Sequence, residues 1–117
     1  MTRTYNHKNL SFFAEDNTKV YLEVEYVSDG NTSYTVVNKP GPNDPEIDGQ
    51  GSVLIDIGGN LRTETTYVNT QVDNFIPEED TISLNFKLNG IIIAEHTNPK
   101  SETISPFIVL HINFPKG

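Results

Sequence analysis

The chain of 117 residues has no cysteine, no tryptophan and a single methionine. Without cysteine, neither disulfides nor thiolate metal ligation is open to it, which fits a reducing compartment. Without tryptophan, any aromatic recognition platform falls to tyrosine and phenylalanine. Long apolar runs are also missing. The longest, Ile91-Ile92-Ile93-Ala94 and Phe107-Ile108-Val109-Leu110, fall far short of the roughly 18–20 residues that cross a bilayer as a helix, so no membrane span is expected. The positively charged start is followed by no apolar h-region, because Leu10 to Ala14 ends at Glu15-Asp16. No signal peptide is therefore expected, Met1 reads as an initiator methionine, and the expected location is cytoplasmic.

Basic charge is scarce. Lys and Arg number 8 against 16 Asp and Glu, a formal net charge of −8. Such a surface repels phosphate backbones, and no basic cluster offsets it locally, so nucleic acid is not an expected partner. The last absence is periodic. No window sustains an apolar repeat of 3.6 residues, which argues against any helix longer than a turn or two.

What the sequence does contain is alternation. Val20, Leu22, Val24 and Tyr26 share one parity within 19–27, with Glu23 and Glu25 on the other, the pattern of a half-buried strand. Tyr21 falls on the polar parity and is expected to be exposed. After the turn Ser28-Asp29-Gly30-Asn31, residues 32–38 return, and the two strands read as a hairpin. Ile82, Leu84, Phe86 and Leu88 alternate with polar residues up to Asn89-Gly90, the preferred pair for a type I′ turn. A two-residue hairpin then places Leu88 opposite Ile91, Lys87 opposite Ile92 and Phe86 opposite Ile93. Further strands are expected at 9–14, 52–57, 61–74 (with a bulge) and 103–114. The segment 39–51 holds three prolines and three glycines and reads as an exposed, semi-rigid loop without ladder pairing. About eight strands with short turns, in a chain of one-domain length, predict one all-β domain over residues 1–117. The expected form is an antiparallel β-sandwich of immunoglobulin-like or Greek-key type, the alternative a small β-barrel.

Few residues suggest chemistry. The serines lack a Gly-x-Ser-x-Gly context, and His7, His96 and His111 have no helical or zinc-finger spacing. Gly58-Gly59-Asn60 lacks the Gly-Lys-Ser/Thr of a phosphate loop. No catalytic residue is expected. Asp44, Glu46 and Asp48, followed by Gly49, mimic the start of a calcium loop, but the twelfth position is Ile55 rather than a bidentate Glu. A solvated acidic loop is the favoured reading of these three, with calcium as the only cofactor in view. Parity singles out one further set. Ile92, Ala94 and His96 oppose the core parity of their strand, as Phe107, Val109 and His111 do in the last one. Were those strands neighbours, the six would form one outward apolar patch, of the kind that marks partner interfaces.

The stretch Gly51-Ser52-Val53-Leu54-Ile55-Asp56-Ile57-Gly58, followed by Val68-Asn69-Thr70-Gln71-Val72-Asp73, resembles small bacterial β-sandwich proteins and carries no catalytic motif. The expected function is a non-enzymatic protein-interaction or structural module that acts through a sheet face, in an oligomer or a larger assembly. The alternative is calcium-assisted binding of carbohydrate on tyrosines such as Tyr5, Tyr21, Tyr34 and Tyr67.

Overall fold

A computed structural model of the chain describes residues 2–116; Met1, read above as the initiator, lies outside the described residues. The strands are β1 (Thr2–Ser11), β2 (Lys19–Tyr26), β3 (Asn31–Asn38), β4 (Glu46–Asp48), β5 (Gly51–Ile57), β6 (Thr66–Asn74), β7 (Thr81–Leu88), β8 (Ile91–Pro99) and β9 (Ser105–Asn113), with a one-turn helix α1 (Gly58–Leu61) after β5. They form two packed sheets, one ordered β1-β9-β6-β3-β4 and the other β5-β2-β7-β8. The molecule is therefore an all-β sandwich and not a closed barrel. All pairings are antiparallel except β1 with β9, which run parallel.

Period-two burial builds the core. Val20, Leu22, Leu84, Phe86 and Leu88 from one sheet meet Val37, Val68, Val72, Ile108, Leu110 and Ile112 from the other, all fully buried. Each such side chain contributes about 1.5–3 kcal/mol by leaving water.

Several local expectations change. Strands β2 and β3 are not a hairpin; they lie in opposite sheets, and the 28–30 turn crosses between layers. Within the expected loop, β4 pairs with β3 through Thr35 and Ile47. The three residues between Pro45 and Gly49 contain no proline, and Ile47 is buried there. Of the expected long strand at 61–74, Leu61 ends α1 and only Thr66–Asn74 is strand, β6. The parity shift after Leu61 comes from this helical turn, not from a bulge. Gly58 is required at its start, since a Cβ there would lie 2.4 Å from the Glu15 carbonyl oxygen and 2.6 Å from that of Ala14. The first strand begins earlier than expected, at Thr2.

The Asn89-Gly90 turn forms as expected, with positive φ at both residues (48° and 82°). Asn89 also braces β2, accepting from the Tyr21 N–H at 2.8 Å and donating to the Lys19 carbonyl at 3.1 Å. Beyond the turn, however, β8 carries a bulge. Lys87 pairs with Ile92, but Phe86 pairs with Ala94, so Ile93 is the extra residue. This single insertion reverses the parity of the rest of the strand.

Candidate functional site

That reversal dissolves the six-residue patch. Ala94 and His96 point inward and are 8% and 2% exposed. Ile92 is 45% exposed, beside Ile91 at the tip of the β7–β8 hairpin. Strands β8 and β9 moreover belong to different sheets. Phe107, Val109 and His111 remain outward on β9, half-buried by their neighbours.

The register shows what those neighbours are. Across the outer face of the five-stranded sheet run two full rows, Thr4–Phe107–Gln71–Tyr34–Asp48 and Asn6–Val109–Asn69–Val36–Glu46, and a shorter one, His111–Tyr67–Asn38. Over β9, β6 and β3 these rows hold rings, two valines and amides, with no Asp, Glu, Lys or Arg. Tyr34 and Tyr67 are 46% and 40% exposed. Tyr67 meets the His111 ring edge-on at 5.0 Å, and His111 Nε2 lies 3.1 Å from Asn6 Oδ1. Gln71 Nε2 donates to the carbonyls of Val72, Ser105 and Pro106, and Asn69 Nδ2 to that of Val36. These bonds hold both amides down on the sheet and leave their oxygens free to accept. Charge is confined to the margins, with Glu46 and Asp48 on β4, exposed Lys8 on β1, and Asp73 at the end of β6, where it accepts from the Ser105 hydroxyl at 2.5 Å.

The outer face of the other sheet has a different chemistry. Glu23 pairs with Lys87, and Glu25 with Asn85, which pairs in turn with Glu95. Lys87 Nζ lies 3.2 Å from Glu25, and hydrogen bonds from Asn85 and Lys87 hold the Glu25 carboxyl below its usual range. Tyr21 is exposed there, as its parity implies, opposite Leu54.

Asp44, Glu46 and Asp48 do not converge. Asp44 lies before β4, and the Glu46 carboxylate accepts a hydrogen bond from the Tyr34 hydroxyl. Among the described residues, no group of three or more His, Asp or Glu side chains is placed to share an ion. An open groove of about 750 Å3 is lined by Phe13, Arg62 and Lys116 among others. Its guanidinium is already committed to structure. Arg62 donates to the carbonyls of Ala14 and Pro115 and to Asp16, and stacks 5.5 Å from the Phe13 ring centroid. The outer face of the five-stranded sheet is thus the candidate site. Sequence parity found its β9 strip. The rest was hidden because Tyr34, Tyr67, Asn69 and Gln71 read as ordinary polar-face residues until the strand order places them side by side.

No family model matches the chain, and no curated protein or solved structure matches it.

Proposed function

We propose that the protein is a non-enzymatic interaction module that binds a protein partner, in the first instance a second copy of itself, through the outer face of the five-stranded sheet. One observation carries this reading: a strip three strands wide, rich in tyrosine and free of Asp, Glu, Lys and Arg, on a chain of net charge −8. Depletion of charge with enrichment of aromatic residues is the compositional mark of an interface centre.

The margins favour a second copy. Lys8 stands at the β1 border and Glu46 and Asp48 at the β4 border. A two-fold axis parallel to the strands lays β1 of one copy over β4 of the other, bringing opposite charges together. An axis across the strands stacks like on like. Light scattering or sedimentation over a concentration series tests this. The mass is expected to rise toward two chains, and Val109→Lys, which puts a charge within the strip, is expected to return it to one with the β spectrum unchanged. A mass of one chain up to millimolar concentration overturns self-association.

A second reading rests on the amide oxygens of Asn69 and Gln71 beside Tyr34 and Tyr67, an arrangement suited to a neutral oligosaccharide that stacks and donates hydroxyl hydrogen bonds. Chemical-shift changes confined to these residues on adding neutral oligosaccharides, with or without calcium, would favour it over self-association.

A further inference from the structure

Two histidines that are distant in sequence meet at the seam where β1 of one sheet passes β8 of the other. His7 Nε2 lies 3.1 Å from His96 Nδ1, with the rings nearly perpendicular. The other nitrogen of His96, Nε2, is 2.9 Å from Asn98 Oδ1. The orientation of Asn98 is fixed, because its Nδ2 donates to the carbonyls of Pro99 and Thr103. Only oxygen can therefore face His96, and His96 Nε2 must carry a hydrogen. Neutral His96 then offers Nδ1 as an acceptor, and His7 must donate to it from Nε2. In the neutral pair the chain runs His7→His96→Asn98; with one added proton the shared bond persists whichever ring holds the charge, and it is lost only when both rings are protonated.

We propose that this histidine pair is a proton-operated latch that fixes the edge strand β1 across the two sheets and releases it on acidification. A first proton can enter at His7 Nδ1 without breaking the chain, although half-burial opposes it. A second must occupy His96 Nδ1, where it meets the His7 N–H head-on in a site that is 2% exposed. Among the described residues, no carboxylate pairs with either imidazole. From β1, the Tyr5 ring stands edge-on to His96 at 4.8 Å. Arg3 lies 5.6 Å over Tyr5 and 3.9 Å from Glu102. The carboxylate of Glu102 on the β8–β9 loop accepts from the Tyr5 hydroxyl at 2.5 Å rather than from an imidazole. From β8 and that loop, His96 meets only the neutral Asn98, itself tied to the Thr103 carbonyl. Burial holds both imidazoles below their ordinary value; for His96 the hydrogen bond to Asn98 works against it and the nearby His7 adds to it. Opening frees both groups to take protons, so its equilibrium constant rises as the pH falls below about 6.5, by up to about tenfold per proton per pH unit.

Strand β1 is suited to release. It is a sheet edge, held by a parallel ladder to β9 alone, and its register shifts between His7 and Leu10 around Asn9 at φ 64°. Its outward Thr4 and Asn6 border the face proposed above for binding. The consequence for binding rests on that reading, whereas the opening itself is measured on the protein alone.

The test is native-state amide hydrogen exchange at about pH 7.5 and pH 5, corrected for intrinsic rates and repeated in low urea. Amides of residues 3–8 are expected to exchange through an opening insensitive to urea, with an equilibrium constant at least roughly tenfold larger at the lower pH. His7→Gln is expected to lose most of this pH dependence. Its amide can donate to neutral His96 or, flipped, accept from the protonated ring. Ring titrations of the unaltered protein give an independent reading, with both His7 and His96 expected to titrate below about 6.5. The latch is overturned if the β1 amides exchange only with those of β6 and with the same urea dependence. It is also overturned if His7→Gln opens with acid as the parent does, or if both rings titrate at the ordinary value.

Discussion

Thr66 is fully buried on β6, and its hydroxyl has no hydrogen-bond partner among the described residues. Burial of an unpaired hydroxyl costs about 1–3 kcal/mol. Thr66→Val keeps the shape and removes the polar atom, so it is expected to stabilise the fold by about 1 kcal/mol, raising the thermal midpoint by about 4 °C. A calorimetric scan showing a lower midpoint would count against this account. The neighbouring case is different. Thr35 and Thr70, also buried, satisfy each other at 2.9 Å, and removing either hydroxyl alone leaves the other stranded. Thr66 and the Thr35–Thr70 pair thus respond to the same substitution with opposite signs, decided by one hydrogen bond.

At the scale of elements, the β7–β8 hairpin shows what alternation reveals and where it stops. Ile82, Leu84, Phe86 and Leu88 declare β7, and Asn89-Gly90 declares the reversal. Asn89→Ala puts a Cβ-bearing residue with no local hydrogen-bonding side chain at φ 48° and deletes the two bonds to β2. A loss of about 2 kcal/mol is expected in urea unfolding. Asn89→Gly, which restores the backbone freedom but not the bonds, is expected to lose about half of that. The bulge at Ile93 was not legible, because Ile91-Ile92-Ile93-Ala94 is apolar in both registers and only the pairing with β7 decides which residue is extra. Without that bulge the alternation would turn His96 outward, although it is one of the deepest polar groups in the protein. The early start of β1 was hidden for a related reason. Its inward residues are Tyr5 and His7, which bury against His96 without counting as apolar, so Thr4-Tyr5-Asn6-His7-Lys8 looked like a polar terminus. Strand order was the remaining gap. The crossing of β2 and β3 between layers is a property of long-range contacts, and so is the face they help to build.

The whole molecule closes on two seams, and their chemistry sets its response to pH. At one side the β4–β5 connection joins the sheets covalently, and Lys39 ties the preceding loop to Asp56 on β5 at 3.2 Å. Burial works to raise the Asp56 carboxyl, but hydrogen bonds from Asn60, the Ile57 N–H and Lys39 outweigh it and hold the group below its usual range. At the other side stands the histidine pair, whose imidazoles are also held low, by burial. The two seams therefore fail at different pH. A histidine with a lowered folded value binds protons more readily in the unfolded chain, so its contribution is complete above about 6.5 and declines as the pH falls below that. A lowered carboxyl contributes fully above its unfolded value near 4 and loses that contribution as the pH falls from there through its folded value. Relief of the net charge of −8 on approaching the isoelectric point near 4.6 acts the other way on both, by removing repulsion within the compact state. Because that term is spread over exposed, screened groups while the histidines are buried, the histidines are expected to win. Urea midpoints should hold level from about pH 8 to 7, decline between about 6.5 and 5, and fall further below about 4. His7→Gln should flatten the first decline and leave the second in place. A profile level through the first interval would mean that the seam between β1 and β8 contributes nothing that protons can remove.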